Sequence, residues 1–204
     1  MLASTTNTTG LSVGVVIAIV AAVVAVFLLL VVIFVCLAIG WRNNFVRMKN
    51  NCEEAFSTID IYLKKRYDLI PNLVETVKGY AKHESETLEK VVAARNHAIN
   101  ASTTAEKIEA DAQISAAIKS MNMVAEKYPD LKANANFLDL SNQLKSIENQ
   151  LAEQRKYYNA VVKKLNTEKD LFPKSIVAGM MHIEKQPYFE LDSAEERQNV
   201  KVQF

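Results

Sequence analysis

Cys52 is the cysteine outside the apolar N-terminal segment and could in principle serve as a nucleophile. A thiolate becomes reactive when a neighbouring base takes its proton, and the sequence offers three histidines for that role, His83, His97 and His182. However, Cys52 falls on an apolar helical stripe, where a cysteine is typical of a packed core. The pattern therefore favours a structural cysteine over a catalytic one.

Motifs for metals and phosphates are missing from the sequence. Carboxylate di-metal sites in helical bundles use Glu-x-x-His pairs, and this chain has none. His83-Glu84 begins like a zincin helix, but Thr87 stands at the position of the second histidine. No glycine-rich phosphate loop is present. We therefore predict that the protein is not an enzyme, with no catalytic, cofactor-binding or metal site and no cofactor.

Several charged side chains lie on or beside the apolar stripes. Glu84, Glu168 and Arg95 are candidates for interhelical ion pairs, which set helix register in some proteins and form functional sites in others. The run Lys64-Lys65-Arg66 is typical of a solvated helix end. The 24 Lys and Arg nearly balance the 23 Asp and Glu, and a net charge of +1 gives no basis for nucleic-acid binding.

An uncharged segment from Val13 to Ile39 organises the chain. Its 27 residues would extend about 40 Å as a helix, against a hydrocarbon core of about 30 Å. A cleaved signal peptide would need a basic n-region and a shorter apolar core, and neither is present. Trp41 stands where interfacial aromatic residues anchor a span. We predict one transmembrane helix, with Val13, Ile39 and Trp41 as anchor residues.

Charges next to the span predict its orientation. Residues 1–12 carry no charged side chain, whereas Arg42, Arg47 and Lys49 follow the span closely. Basic residues concentrate on the cytoplasmic side of membrane proteins. We therefore expect a single-pass protein of the cell (inner) membrane with its N-terminus outside and the following domain in the cytoplasm. A periplasmic domain is the alternative.

Beyond the span, apolar residues recur every three or four positions, which is the period of amphipathic helices. Pro71 favours a turn, because proline in a helix interior costs about 3 kcal/mol. One kinked helix is the alternative, since the apolar stripe keeps its phase through Pro71. The pattern Thr103-x-x-Glu106 predicts a capping box that begins another helix. Its predicted stripe is Ile108, Ala112, Ile118, Met121 and Ala125.

The most regular pattern lies in the C-terminal half and is typical of a coiled-coil seam of about five heptads. A helix with such a stripe needs partners. We therefore predict an all-α fold, in which the transmembrane helix is followed by an antiparallel up-and-down bundle of long helices, with four helices favoured. The seam contains Phe137, Leu140, Leu144, Ile147, Leu151, Gln154, Tyr158, Val161, Leu165, Glu168 and Phe172.

The chain after Pro173 contains a short apolar piece, Ile176–Met181. We expect a short helix that closes the bundle, with an interfacial segment on the membrane as the alternative. The predicted domains are a polar tail (1–12), a transmembrane helix (13–41), the helical bundle (42–185) and a charged C-terminal tail (186–204).

The signature of the bacterial LemA family closely resembles residues 55–84, AFSTIDIYLKKRYDLIPNLVETVKGYAKHE, followed by Ala94-Arg95. Further matches are YPDLKANANF from Tyr128, AEQRKYYNAVVKKLN from Ala152, FPKSIVAG from Phe172 and YFE from Tyr188. The resemblance implies a single N-terminal span and a cytoplasmic or periplasmic bundle of long antiparallel helices. It implies no established reaction, cofactor or catalytic residue, and some relatives are associated with the building of internal membranes.

Two positions depart from the family pattern. Phe56 stands where the family usually has Trp, and Met180-Met181 replaces the usual Phe-containing pair. The fold that the resemblance implies does not depend on these positions.

Apolar residues outside the seam predict contacts between copies of the chain. Leu138, Tyr157 and Val162 flank the seam and are the candidate self-association residues. We therefore expect a homo-oligomer in the lipid bilayer, acting as a non-enzymatic scaffold that organises or remodels the membrane. The alternative is a signalling or envelope-stress adaptor that binds an unidentified protein on the bundle surface.

Overall fold

The computed structural model describes residues 8–189, with side-chain surroundings from residue 14 onward. This part of the chain contains helices but no strand, so the predicted all-α fold is confirmed. The predicted tails, 1–12 and 186–204, fall mostly outside the described residues. The helices are α1 (Thr8–Tyr80), α2 (Ser85–Asn100), α3 (Thr104–Lys127), α4 (Pro129–Lys132), α5 (Ala135–Asp170) and α6 (Lys174–Met180).

The described chain forms two compact units. The first contains α1 as far as Arg47, together with Glu168–Ile183. The second contains Met48–Thr167 and the segment that begins at Glu184. Helix α1 therefore contributes residues to both units.

In the first unit, α1 exposes every described side chain from Gly14 to Leu37. The most apolar window of this helix has a mean hydropathy of 3.6, and none of that window is buried. By length and composition, α1 is thus a candidate membrane span. Val13 lies in α1, but its side chain is outside the described residues, whereas Ile39 is exposed. Trp41 is half-buried, with its ring edge-on to Phe34 at 6.4 Å between centroids.

In the second unit, α1 and α5 run in opposite directions. Phe56 of α1 contacts Tyr158 of α5, with 5.7 Å between ring centroids. Arg66 lies farther along α1, yet it pairs with Glu148, which lies earlier in α5. The order of contacts is therefore reversed between the two helices.

Helix α3 runs parallel to the same part of α1. Lys107, near the beginning of α3, pairs with Asp60 at 2.7 Å between Nζ and Oδ1. Lys127, at the end of α3, approaches Glu84, which lies just after α1, at 3.7 Å. With α2 returning between them, α1, α2, α3 and α5 form the predicted antiparallel bundle.

The predicted capping box at the beginning of α3 is confirmed. Thr103 Oγ1 accepts a hydrogen bond from the Glu106 N–H, and the Glu106 carboxylate accepts one from the Thr103 N–H. Backbone donors at Thr103 and Ser102 lower the pKa of Glu106 to about 2. The predicted stripe of α3 is partly wrong, because Ala112 is exposed and Ile108 is only half-buried, whereas Ile118 is half-buried and packs against the apolar core. The buried residues are Ala110, Asp111, Ile114, Ala117, Met121, Val124 and Ala125.

The buried stripe of α5 follows the predicted seam from Phe137 to Tyr158 and again at Leu165, with Gln154 half-buried. After Tyr158 the buried positions are Val162, Leu165 and Asn166, so Val162 is buried in place of the predicted Val161. An α-helix has 3.6 residues per turn and drifts about 20° per heptad from a strict seven-residue repeat. Over four heptads this drift approaches one residue position. Phe172 also lies outside the seam, because α5 ends at Asp170 and Phe172 is 81% exposed.

The predicted turn at Pro71 is wrong, because α1 continues through this residue to Tyr80. Proline has no N–H, so the carbonyl of Tyr67, four residues earlier, loses its helical partner. In the structure, Arg95 of α2 donates its Nε–H to that carbonyl at 3.0 Å. A side chain from the neighbouring helix therefore replaces the missing backbone hydrogen bond. The apolar stripe continues on both sides, with Ile70 and Val74 buried.

The short helix predicted near Ile176 is confirmed as α6. Its Val177 and Ala178 are buried. Beyond α6, the chain turns at His182, where φ is 50°. This segment belongs to the first unit.

The hydrogen bond between Arg95 and the Tyr67 carbonyl makes a direct prediction about Pro71. We expect Arg95→Met to lower the free energy of unfolding by about 1–3 kcal/mol, because it leaves a partly buried carbonyl without a donor. The cost should be smaller in the Pro71→Ala background, where the alanine N–H can pair with the same carbonyl. Chemical unfolding of all four variants, followed by circular dichroism, measures the coupling.

A control for the loss of a positive charge from α2 is Lys90→Met, which removes an exposed cation. It should change stability little in either background. Equal costs of Arg95→Met with and without Pro71 would contradict the proposed compensation.

Candidate functional site

Four charged side chains meet inside the second unit: Arg66 of α1, Asp111 of α3, and Glu148 and Arg155 of α5. Arg66 Nη1 lies 2.8 Å from Asp111 Oδ1, and Arg66 Nη2 lies 2.8 Å from Glu148 Oε2. Arg155 Nη2 contacts Asp111 Oδ2, and Arg155 Nη1 lies 3.1 Å from Glu148 Oε1. Each arginine therefore bridges both carboxylates. We call this arrangement the charge ring.

The charge ring is buried on one side and reaches solvent on the other. Arg66 and Asp111 are 3% and 2% exposed, whereas the Glu148 side chain is partly exposed. Desolvation raises the pKa of the Asp111 carboxyl, and the guanidinium groups of Arg155 and Arg66 oppose that rise. Two positive and two negative charges cancel, so the ring holds three helices together without an uncompensated charge.

Tyr67, next to Arg66 in the sequence, has a buried hydroxyl without a hydrogen-bond partner in the described part of the chain. Desolvation raises its pKa above the ordinary value, and the negative charge of Asp111 adds to the rise. The phenol therefore stays protonated at neutral pH and cannot act as a base. The arrangement around the ring can fix helix register but presents no activated acid, base or nucleophile.

A polar cavity of about 470 Å³ opens beside the charge ring. Its lining mixes hydroxyl, amide and ammonium groups, which can hydrogen-bond water or a polar solute, but it includes no cysteine or histidine. The lining residues are Arg66, Ser115, Ile118, Lys119, Asn122, Ser141, Asn142, Leu144, Lys145, Glu148 and Asn149.

Cys52 lines a separate cavity of about 270 Å³ together with Phe56 and Tyr158. The thiol is buried, and desolvation, followed by the charge of Glu53, raises its pKa. Since the thiolate is the nucleophilic form, this environment makes Cys52 less reactive than a free cysteine. The Tyr158 hydroxyl donates to the Pro187 carbonyl at 3.0 Å, and burial raises its pKa to about 12. Among residues 14–189, no group of three or more His, Cys, Asp or Glu is arranged to hold a metal ion.

The predicted interhelical ion pairs are only partly correct. Glu84 does approach Lys127 of α3, but Arg95 bonds a backbone carbonyl instead of a carboxylate. Glu168 pairs with Lys174, at the beginning of α6. The prediction for the basic run is wrong at Arg66, which is buried, whereas Lys64 and Lys65 are exposed. Its position three residues after Leu63 and four before Ile70 was a usable signal, since both neighbours lie on the apolar stripe.

The three candidate self-association residues do not form one surface. Val162 is fully buried in the second unit, because the helical drift of α5 turns it inward, so the prediction of an outward position is wrong. Leu138 and Tyr157 are 47% and 58% exposed. They lie about 100° apart around α5 and about 28 Å apart along it. Any contact through both would therefore involve two separate places on the helix.

The first residues of the predicted charged tail are bound to α5. Asn166 exchanges two hydrogen bonds with the backbone of Gln186, accepting from its N–H and donating to its carbonyl. Asn159 does the same with the backbone of Phe189. The Phe189 ring packs edge-on against Tyr158 at 5.5 Å between centroids. These hydrogen bonds from asparagine side chains to the C-terminal backbone are not predicted from the sequence. The spacing of the asparagines does not show which backbone groups they bond.

The charge ring predicts a strong effect of removing one charge. Asp111→Asn should lower the free energy of unfolding by about 3–5 kcal/mol, because two arginines lose the charge that compensates them in a buried setting. Denaturant unfolding of the full chain in detergent measures this loss.

Asp68→Asn is the matched control, because it removes a carboxylate from an exposed pair with Lys64. It should cost less than about 1 kcal/mol. Similar costs for the two substitutions would contradict a structural role for the ring.

Comparison with known proteins identifies relatives of the chain. The model of the LemA family matches residues 55–204. A protein named Protein LemA from Metamycoplasma hominis is 26% identical over 164 residues, which cover 80% of this chain and 75% of that protein. The family match includes the Arg66–Asp111 pair, the hydrogen bond from Arg95 to the Tyr67 carbonyl and the whole of α2 to α6. With about three quarters of its length matched, this chain belongs to the LemA family.

Proposed function

We propose that this protein is a membrane-anchored, non-enzymatic helical scaffold that self-associates and organises or remodels the membrane. The observation that carries the proposal is the apolar first part of α1, whose described side chains are exposed from Gly14 to Leu37. A surface of this length and composition is stable in a lipid bilayer and not in water. In this proposal the lipid bilayer is the partner that the apolar part of α1 binds.

The interior of the second unit supports a non-enzymatic role. The charge ring compensates each of its own charges, and the raised pKa of Cys52 disfavours the thiolate. Enzymes instead shift pKa values toward the working pH of an acid, base or nucleophile. The four charged side chains of the ring are explained by their role in fixing helix register.

Self-association is favoured by anchoring rather than by one large contact surface. Single exposed apolar residues such as Leu138 and Tyr157 are ordinary on soluble domains. An anchor confines copies to two dimensions, which raises their effective concentration, so weak lateral contacts are sufficient. Rotation about the membrane normal then allows closed, symmetric assemblies.

An apolar groove between α1 and α2 favours a second function, that of an adaptor for signalling or envelope stress. The groove has a volume of about 450 Å³ and contains Val74, Leu88 and Val92, with Val92 exposed. Lys78 and Glu89 lie at its borders. An amphipathic helix of another protein would fit such a surface through its apolar face.

The orientation that we propose places the N-terminus outside and the second unit in the cytoplasm. Arg42 and Arg47 follow the apolar segment on exposed faces of α1, and the residues before that segment carry no charged side chain. This asymmetry supports the cytoplasmic location through the positive-inside tendency. The periplasm is the alternative location.

Self-association predicts a mass larger than that of one chain. The detergent-solubilised protein should be a homo-oligomer by light scattering, and a chain that begins at Arg42 should retain part of this association at micromolar concentration. Leu138→Glu and Tyr157→Glu should lower the mass while preserving helix content, because both positions are exposed. Val162→Glu is expected to unfold the bundle instead.

Gln113→Glu is the control, because it adds a negative charge on an exposed face of α3 without removing an apolar side chain. It should leave the mass unchanged. If the full chain and the shortened chain are both monomeric, self-association is excluded and the adaptor function is favoured.

The orientation predicts how Cys52 reacts with a thiol reagent that cannot cross membranes. In a Cys36→Ala background, Cys52 should remain unlabelled in intact cells and become labelled after permeabilisation and mild denaturation. Denaturation is required because the thiol is buried. Labelling in mildly destabilised but intact cells, with cytoplasmic control proteins unlabelled, would establish the periplasmic location.

A further inference from the structure

Three large apolar side chains form an exposed patch around α6. Phe172 and Met180 are 81% and 78% exposed, and Ile176 between them is also exposed. Residues four positions apart lie on the same face of a helix, so Ile176 and Met180 share one face of α6, with Phe172 just before it. Val177 and Ala178 occupy the opposite, buried face. We call Phe172, Ile176 and Met180 the α6 patch.

The α6 patch belongs to the same compact unit as the apolar part of α1. Along α1, side chains become buried only at the end of that apolar part, where Ala38 and Trp41 are half-buried and Phe45 is fully buried. Residues 168–183 are the other segment of this unit and can cover that face. The patch is therefore placed near the end of the span and not at its middle.

Charges in the unit fit a membrane surface. Arg42 and Arg47 are exposed on α1 just beyond the span, where they can contact acidic phospholipid headgroups. Lys174, at the beginning of α6, is paired with Glu168, so the positive charge next to the patch is compensated. Apolar residues flanked by such groups are typical of segments that lie in the membrane–water interface.

The dimensions of the patch favour lipid over a protein partner. A stable protein interface buries about 800 Å² on each side, which is more than three side chains supply. Helix α6 has 7 residues, far fewer than the roughly 20 needed to cross a bilayer. A short helix with one buried and one exposed apolar face can instead lie flat at the interface.

We propose that the α6 patch inserts into the membrane–water interface as a second membrane contact beside the anchor. This inference rests on the proposed anchoring by α1. Phe172, Ile176 and Met180 enter the boundary between headgroups and acyl chains, while Val177 and Ala178 keep α6 packed on its own unit. The membrane is thus contacted at two places that are far apart in the sequence.

Tryptophan fluorescence of the full chain in liposomes tests the proposal, because Trp41 is the only native tryptophan. Phe172→Trp and Met180→Trp are introduced separately into a Trp41→Phe background. The liposomes contain phosphatidylcholine and phosphatidylglycerol, with bromine near the headgroup end or near the middle of the acyl chains. Both reporters should show blue-shifted emission, with stronger quenching by bromine near the headgroups.

Met123→Trp in the same background is the matched control, since Met123 is an exposed residue of the second unit. It should show unshifted emission and little quenching. A second variant, Phe172→Asp combined with Met180→Trp, should reduce the quenching at Met180 without changing helix content.

Native Trp41 separates the inference from the anchoring on which it rests. Quenching of Trp41 without quenching at Phe172→Trp or Met180→Trp would overturn the second contact and leave the anchor intact. Absence of quenching at all three positions would overturn the anchor as well. Blue-shifted reporters that lipid bromine does not quench would assign the patch to a contact between copies of the chain, which also contradicts the proposal.

Discussion

The burial of Asp111 is the constraint on which the packing of the second unit depends. A carboxylate in that position is stable only with cations beside it, and Arg66 and Arg155 supply them from α1 and α5. Glu148 then compensates the second charge of the two arginines. Because guanidinium groups bind carboxylates in a fixed geometry, sliding any of these three helices by one turn would leave a charge unpaired.

Helix α2, the remaining helix of the bundle, is fixed at the same level. Arg95 of α2 bonds the carbonyl of Tyr67, the residue next to Arg66. This carbonyl is available only because Pro71 cannot donate to it. A residue that would ordinarily end a helix therefore creates a specific acceptor for the neighbouring helix. Apolar stripes bring the helices together, whereas the charge ring and this hydrogen bond select one register.

The sequence was sufficient where structure depends on nearby residues. It predicted the all-α fold, the apolar segment of α1, the capping box at Thr103 and the short helix α6.

The sequence was insufficient where a distant residue decides the outcome. The local cost of Pro71 predicts a turn, whereas the hydrogen bond that compensates for it comes from Arg95 on another helix. The neighbouring lysines predict a solvated Arg66, but its partner Asp111 lies 45 positions away and draws it into the interior. Val162 was misplaced because a strict heptad ignores the drift of an α-helix.

The interior and the surface of the protein bear on function in different ways. In the interior, the charge ring fixes the register of the helices, and desolvation raises the pKa values of Tyr67 and Cys52, which lowers the reactivity of both groups. The proposed function therefore rests on the outer surface and on the apolar part of α1. If α1 alone contacted the membrane, the first unit could rotate about that helix. A second contact through Phe172, Ile176 and Met180 would restrict this rotation, because two points of contact define a direction along the membrane plane. Neighbouring copies would then meet in fewer relative orientations, which lowers the entropic cost of an ordered assembly. Membrane attachment and self-association would in this way be physically coupled, even with small contacts between copies.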